Sequence, residues 1–482
     1  MFEMGRDDID RTPSGIEGLD EIIGGGFPRG SLIILAGNPG VGKTIFSASF
    51  LYRGIVDYGE RGVYVSFAEN REAFFSNMRA FGFNFEELEK VGKFRFLDLI
   101  TAREEAAPAI METILREVSE VGARRLVIDS FSALAQMFKE THEVRIILHT
   151  ILSRVTRLLG CTTLLIVENP YGENRIGFGI EEFVADGIIL LRRSRLADRL
   201  LRELEVFKMR GTPTYETQAV FTLKGGFKVF PPFKPKPIEK PSRFQPQPDT
   251  ELFFSSGSPD LDKMLGGGYP RGSMVLIEID EQITTLQYHL IAVPVAWNFI
   301  AHGRGVFVVP SAGVDQSLVL RRAWEGGFTK DEINSLLRIR VKDYPGIKSE
   351  PYLVAFRGEN FSEDYMRYME VERDLRERTG QPTLSVIGVD TLINIYGVKE
   401  TISALRFCAT RVREVGDLDI VLLKPGYPRV TKILSAIADI HLRITREHGS
   451  VLVYGIKPRT NLYVLEMDVS RGYAMPKLTP II

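Results

Sequence analysis

A chain of 482 residues is too long for a single hydrophobic core, so two domains are expected. A hydrophobic content of 44% with 26% charged residues excludes a disordered or fibrous chain. A formal net charge of −1 gives no global attraction to nucleic acid or to an anionic membrane, and no apolar run approaches the ~18 residues of a membrane span. Cys161 and Cys408 lie far apart in apolar surroundings and read as buried thiols, not as a disulfide or a nucleophile. The six histidines show no metal-ligand spacing. The start, Met1 to Arg11, is charged and polar and does not read as a signal peptide, so cytoplasm is the expected compartment.

The first signature along the chain is Ser14-Gly15-Ile16-Glu17-Gly18-Leu19-Asp20, followed by Gly24-Gly25-Gly26-Phe27-Pro28-Arg29-Gly30-Ser31. An apolar run at 31–36 reads as a buried strand. It leads into Gly37-Asn38-Pro39-Gly40-Val41-Gly42-Lys43-Thr44, a complete G-x-x-x-x-G-K-T phosphate loop. Residues 44–58 then read as a helix, with Phe46, Phe50, Leu51 and Ile55 near helical spacing. The glycines let the backbone wrap closely round a phosphate chain, so that N–H groups and the helix N-terminus point at it. Lys43 is then placed to reach the outer phosphates, and the Thr44 hydroxyl to ligate Mg²⁺. A bound nucleoside triphosphate is the expectation.

Further strands are expected at 62–67, 93–97, 125–128, 162–167 and 187–191, and further helices at 71–81, 105–121 and 142–159. That alternation predicts a mainly parallel sheet with helices on both faces. From 187 onward strand-like runs follow one another (203–209, 216–222, 226–230), which predicts an antiparallel extension at one sheet edge. Hydrolysis needs a metal-side carboxylate, a group that orients water and a cation for the developing charge. The apolar strand Arg125-Leu126-Val127-Ile128 ends in Asp129, which suits the first role; a helix N-cap is the structural alternative. Glu69, ending Val63-Tyr64-Val65-Ser66-Phe67-Ala68-Glu69, is the candidate for water, against a helix-start carboxylate favoured by the dipole. Glu168, ending the strand 162–167, is a further carboxylate at the same edge.

The first signature returns as Ser256-Gly257-Ser258-Pro259-Asp260-Leu261-Asp262 and Gly266-Gly267-Gly268-Tyr269-Pro270-Arg271-Gly272-Ser273, at a constant offset: 257 − 15 and 272 − 30 both give 242. A tandem duplication is expected. Seven prolines between 231 and 250 (231, 232, 235, 237, 241, 246 and 248) favour extended backbone and mark a linker, so the expected domains are 1–230 and 251–482. At the same offset the second phosphate loop would be Ile279-Asp280-Glu281-Gln282-Ile283-Thr284-Thr285-Leu286, without glycine or lysine and with two carboxylates where phosphate would sit. The second run Val306 to Ala312 also ends without a carboxylate, while Asp390-Thr391 and Lys457-Pro458-Arg459 keep the outline of the later motifs. One nucleotide site per chain is expected, in the first half.

Ser14 to Ser31, the phosphate loop, Phe67-Ala68-Glu69, the Asp129 strand and Lys208-Met209-Arg210-Gly211 together resemble the KaiC-like branch of the RecA superfamily. The resemblance implies two tandem RecA-like domains, ATP with Mg²⁺ as the bound pair, and a homohexameric ring with ATP between neighbouring subunits. It also implies that Lys208 and Arg210 reach in trans to the neighbour's γ-phosphate; read from the residues alone, they are only a basic strand end. Members of the family usually carry two adjacent glutamates where this chain has Ala68 and Glu69, so slow hydrolysis is expected. Clock-type relatives phosphorylate Ser/Thr positions just before the Asp of Phe183-Val184-Ala185-Asp186; here Glu182 and Phe183 stand there, so autokinase activity is not expected.

The function these readings imply is a slow regulatory ATPase whose ring switches binding of an unidentified protein partner. Two alternatives use the same fold: a recombinase-like DNA-repair accessory ATPase, and a nucleotide-gated transcriptional regulator, for which GvpD-type gas-vesicle regulators of archaea offer a weaker resemblance. The basic stretch Arg192, Arg193, Arg195, Arg199 and Arg202 reads as a solvated hairpin tip or subunit contact before it reads as a nucleic-acid site.

Overall fold

The computed structural model describes residues 10–100, 107–135, 144, 148–169, 184–213, 216–343 and 349–482. The chain divides into two compact units, one of residues 1–232 with 448–450 and 480–482, the other of residues 233–447 with 451–479.

In the first unit, β1 (Leu32–Gly37) is apolar throughout and buried at every position, as a strand covered on both faces must be. Its successive side chains alternate between two cores. Ile33 and Leu35 join Phe46, Phe50 and Phe74 on one face, while Leu32, Ile34 and Ala36 join Ile114, Ile128 and Phe131 on the other. Around it the chain forms α1 (Lys43–Tyr58), β2 (Gly62–Ser66), α2 (Arg71–Arg79), α3 (Phe85–Lys90), β3 (Phe94–Asp98), α4 (Ala107–Val121), β4 (Arg125–Asp129), α5 (Phe131–Ala135), β5 (Thr162–Glu168), β6 (Gly187–Leu196), β7 (Arg199–Met209), β8 (Gln218–Thr222) and β9 (Lys228–Phe230). The sheet order is β9-β8-β7-β6-β1-β5-β4-β2-β3. From β6 to β3 the pairings are parallel, and from β6 to β9 they are antiparallel.

Two expectations change. The helix expected at 142–159 lies partly outside the described residues, and its described end, Ile151–Leu158, is wound as a π-helix. The arginine stretch forms the expected hairpin, with Arg192, Arg193 and Arg195 exposed beside its turn, but it is solvated only in part. Strands β6 and β7 run on through it to a turn at Ala197-Asp198, whose positive φ angles of 48° and 59° match the twist of a tight hairpin. Arg199 and Arg202, on opposite faces of β7, are both buried. Arg192 pairs with Glu205 across the ladder at 2.9 Å.

The second unit repeats the plan with α6 (Pro259–Leu265), β10 (Ser273–Ile279), α7 (Thr285–Ala301), β11 (Val306–Val309), α8 (Gln316–Glu325), α9 (Lys330–Leu336), β12 (Leu337–Lys342), β13 (Leu353–Phe356), α10 (Phe361–Thr379), β14 (Leu384–Gly388), α11 (Val389–Tyr396), α12 (Val398–Val415), β15 (Leu418–Leu423), α13 (Pro428–Ile437), β16 (Ile440–Glu447), β17 (Ser450–Lys457), β18 (Tyr463–Asp468) and β19 (Met475–Pro480). The order β13-β12-β11-β14-β15-β10-β16-β17-β18-β19 sets β10 between β15 and β16, as β1 stands between β5 and β6. Matching bonds hold the two signatures. The Ser14 amide donates to Asp20 at 3.0 Å and the Ser256 amide to Asp262 at 2.7 Å. The Leu32 amide donates to Asp186 and the Met274 amide to Asp439. Each unit is thus a RecA-like α/β domain, mainly parallel with an antiparallel edge.

The proline-rich segment after residue 232 contains no helix or strand up to 250. It lies on the second unit: Phe244 is buried against Trp297 and Tyr473, and its amide donates to Gly326 O at 3.0 Å.

Candidate nucleotide-binding site

The phosphate loop springs from the end of β1. Gly37 has no room for a side chain, since a Cβ there would stand 2.6 Å from the Leu191 carbonyl oxygen. Gly42 has φ 112°, which favours glycine, and it is the N-cap of α1. It offers no side chain to the helix start, so the first amides of α1 have no capping partner and face the loop's concavity. Lys43 Nζ donates to the carbonyls of Gly37 (2.8 Å) and Asn38 (3.0 Å), tying the loop to its own lysine. The Asn38 side-chain Nδ2 donates to Asn169 O at 2.8 Å, just past the end of β5.

Parallel register brings the carboxylates to the same edge. Ser66 of β2 stands opposite Asp129 of β4, and Glu168 of β5 opposite Gly37. Thr44 Oγ1 donates to Asp129 Oδ2 at 3.4 Å, and the buried Tyr64 hydroxyl donates to the same oxygen at 2.5 Å. Helix capping beside these groups is done by other residues. Ser130 Oγ accepts from the Ala133 amide, and Asn70 Oδ1 from the Ala73 amide, so neither Asp129 nor Glu69 is used as a cap. Glu69 is fixed at both ends: its amide donates to Ser66 Oγ at 3.0 Å, and its carboxylate accepts from Asn77 at 2.5 Å.

Burial sets the charges at odds with water. It lowers the Lys43 pKa, against the pull of Glu168 and then Asp129. It raises Asp129, against the Tyr64 hydrogen bond and Lys43. It raises Glu69 as well, against the bond from Asn77, with the Asp129 charge adding to the rise.

Lys208 and Arg210 are not brought to this site. Lys208 pairs with Ile188, which stands beside Ile34, whereas the loop begins at Gly37 beside Leu191. Three residues of strand separate them, about 10 Å at 3.3 Å per residue. Lys208 Nζ instead donates to Ala185 O at 2.8 Å, and Arg210 pairs with Asp186 at 3.2 Å. Glu182 and Phe183 lie outside the described residues.

Sequence reasoning missed four residues of this site. Tyr64 reads only as an apolar strand position, and Asn77 only as a helix surface residue. Asn169 sits one residue past a strand end. Arg202, 8% exposed, donates to the Val41 carbonyl at 3.1 Å and so braces the phosphate loop from β7. Its place on the face of apolar Leu204 and Val206, two and four residues on, carried a signal, because an inward-facing arginine in a strand must find an acceptor.

Mg²⁺ and a triphosphate fit these groups. The helix start is uncapped, Gly37 leaves no room for a Cβ, Gly40 and Gly42 take left-handed φ angles of 75° and 112°, and Thr44 and Asp129 converge as oxygen donors. Among the described residues no group of three or more His, Cys, Asp or Glu could hold a metal alone, which suits an ion shared between two side chains and phosphates. The equivalent turn of the second unit is closed. Asp280 accepts from Arg443 at 2.8 and 3.2 Å, and Thr284 and Gln287 form a capping box on α7.

The sheet order, the loop and the carboxylates at one edge define a P-loop nucleotide-binding domain of the RecA type. Residues 12–232 match the family model for the KaiC ATPase. The circadian clock oscillator protein KaiC of Prochlorococcus marinus (strain MIT 9313) is 31% identical over 279 residues, 56% of this chain and 54% of that protein. That of Synechococcus elongatus is 33% identical over 270 residues, 54% of this chain and 50% of the relative. A solved KaiC-like protein from the hyperthermophilic archaeon Pyrococcus horikoshii is 37% identical, covers 46% of this chain and all of its own, and superposes with a TM-score of 0.42. The chain spans about half the length of the clock relatives it matches. Its first unit thus carries a domain similar to the KaiC ATPases, over slightly less than half of the chain. No helix among the described residues is long and apolar enough to cross a membrane.

Proposed function

We propose that this chain is a slow, Mg²⁺-dependent ATPase that works as a homohexameric ring, with each site shared between neighbouring subunits. Lys43 and the free amides of α1 bind the outer phosphates, and Thr44 and Asp129 hold the metal. When bound, Mg²⁺ supplies neutralisation of the charge that builds on the transferred phosphoryl group. Tyr64 aims the Asp129 carboxylate. Glu69, held by Asn77, orients the attacking water and takes its proton. Its raised pKa makes it a better base than an exposed glutamate. With Ala68 beside it there is a single carboxylate at that strand end, and turnover is slow.

The observation that carries the shared site is the distance of Lys208 and Arg210 from their own phosphate loop. A cation at the far end of β7 serves catalysis only in the site of another subunit. The two units represent a duplication over 1–230 and 251–482, joined through 231–250, of which only the first acts on nucleotide. ATP occupancy switches the ring between states that bind and release an unidentified protein partner in the cytoplasm. Arg199 and Arg202 are buried and Arg192 pairs with Glu205, so Arg193 and Arg195 are the exposed arginines of the stretch without such a pairing shown, a small basic patch for nucleic acid.

Mixed rings test the proposal. Lys43→Ala subunits and Lys208→Ala/Arg210→Ala subunits are each expected to be inactive alone. Together they form some sites with every wild-type group, so mixing should restore part of the ATPase rate. Verified mixed rings without recovery would sink the shared site.

A further inference from the structure

The second unit holds a cavity beneath α7, walled by Ala292, Val293, Ala296 and Trp297 from that helix and by Val319 and Ala323 from α8. The space opens to solvent on one side and encloses about 640 Å³ when that open mouth is included.

The first unit shows how the cavity arose. Setting α1 and α7 together on their N-caps, Gly42 and Thr284, places Phe50 against Ala292. Setting α2 and α8 together on theirs, Asn70 and Asp315, places Phe74 against Val319 and Met78 against Ala323. In the first unit the three large side chains are buried in one core. In the second, three small ones line a void. Trp297 takes the place of Ile55, but its ring stands against Phe244 and Tyr473.

A void of this kind destabilises a fold by itself. Two buried groups point to an occupant. Tyr288 and Ser311, 1% and 3% exposed, line the cavity, and their buried hydroxyls lack a hydrogen-bond partner. The Thr285 and Ser311 hydroxyls lie near Tyr288 without meeting it in bonding geometry. Each orphaned hydroxyl is a cost that a ligand head group removes. The surrounding charge is already balanced: Arg322 pairs with Glu325 at 2.5 Å, and Lys424 donates to the Ala312 carbonyl. Burial, then Arg322 and Lys424, lowers the His289 pKa to about 3, so the ring is neutral.

We propose that the second unit binds a small, mostly hydrocarbon molecule through one uncharged hydroxyl or carbonyl head seated on Tyr288 and Ser311. The site replaces the lost nucleotide function of this unit with a ligand input. It does not rest on the ATPase reading, because every residue that lines it belongs to the second unit.

Trp297 and Trp324 are the two tryptophans of the chain, so in a Trp324→Phe background the emission reports the cavity wall. Titration of the full chain with 1-octanol should shift Trp297 emission to saturation, and Lys43→Ala should leave that titration unchanged. Ala292→Phe/Ala323→Met, which refills the cavity with the side chains of the first unit, should abolish the saturable shift. Tyr288→Phe and Ser311→Ala keep the shape and should each weaken octanol binding about fivefold to tenfold. Octanoate should bind more weakly than octanol. No saturable response in the wild type, undiminished binding in the hydroxyl variants or in a refilled variant that folds by circular dichroism, or tighter binding of octanoate, overturns the proposal. If the refilled variant does not fold, the two hydroxyl variants decide.

Discussion

The segments 37–44 and 279–286 stand at the same place in two copies of one fold, and they solve the same local problem in opposite ways. Both follow the central strand and start its helix, so both must deal with amides that have no partner in the first turn. The first leaves them open. Gly42 gives α1 no cap, and Lys43 folds back onto the loop carbonyls. The second closes them. Thr284 and Gln287 cap α7, and Asp280 lies under Arg443. The lesson is that a nucleotide site is a helix start kept unsatisfied by its sequence, and that a few side chains which satisfy it convert the site into ordinary structure.

Several changes would break or sharpen that contrast. The largest effect is expected from Lys43→Ala, which removes the cation of the open loop and should lower ATPase turnover about 10²- to 10³-fold or more. A steady-state phosphate-release assay checks it. Glu69→Gln should keep ATP binding and cost about 10²- to 10⁴-fold in kcat, the range for removing a positioned base. The wild-type rate should fall as pH drops through the raised pKa of Glu69, at a higher pH than an ordinary glutamate would set.

Converting Thr284→Gly and Thr285→Lys would open the second helix start in part. It should give no ATP binding by calorimetry, because Asp280 and Arg443 still occupy the turn. Asp129→Asn carries the contrast into stability. A carboxyl whose pKa is raised on folding stabilises the fold below its unfolded pKa, and that contribution is lost as pH rises through the folded value. Burial raises Asp129, so at neutral pH its charge is a net cost. Asp129→Asn should therefore melt higher than wild type without Mg²⁺, by about a few degrees, while it loses metal-dependent hydrolysis. The smallest change is Thr284→Ala, which removes a cap and should cost about 1 kcal/mol in denaturant unfolding of the second unit.

Much of this was legible in the sequence because it depends on local pattern. The apolar run at 31–36, the phosphate loop and the strand ending in Asp129 are each contiguous, and each folds as read. The repeat at offset 242 located the closed turn before any coordinates did. Groups contributed by distant strands were not legible. Tyr64 meets Asp129 only through the β2–β4 pairing, and Arg202 meets Val41 only because β7 runs back beside the loop. The arginine stretch was legible only in part for the same reason. Arg192, Arg193 and Arg195 are exposed, as the composition suggests, but the long hairpin buries Arg199 and Arg202. The capping of α7 is written in the sequence as Thr284 and Gln287, the spacing of a capping box.

The account stands on one open and one closed helix start. Equilibrium dialysis of the full chain against ATP with Mg²⁺ tests this most directly, because it counts sites without requiring turnover. One ATP per chain, lost in Lys43→Ala and retained in Arg443→Ala, is the expected result. Two per chain, or binding that survives Lys43→Ala, would contradict it.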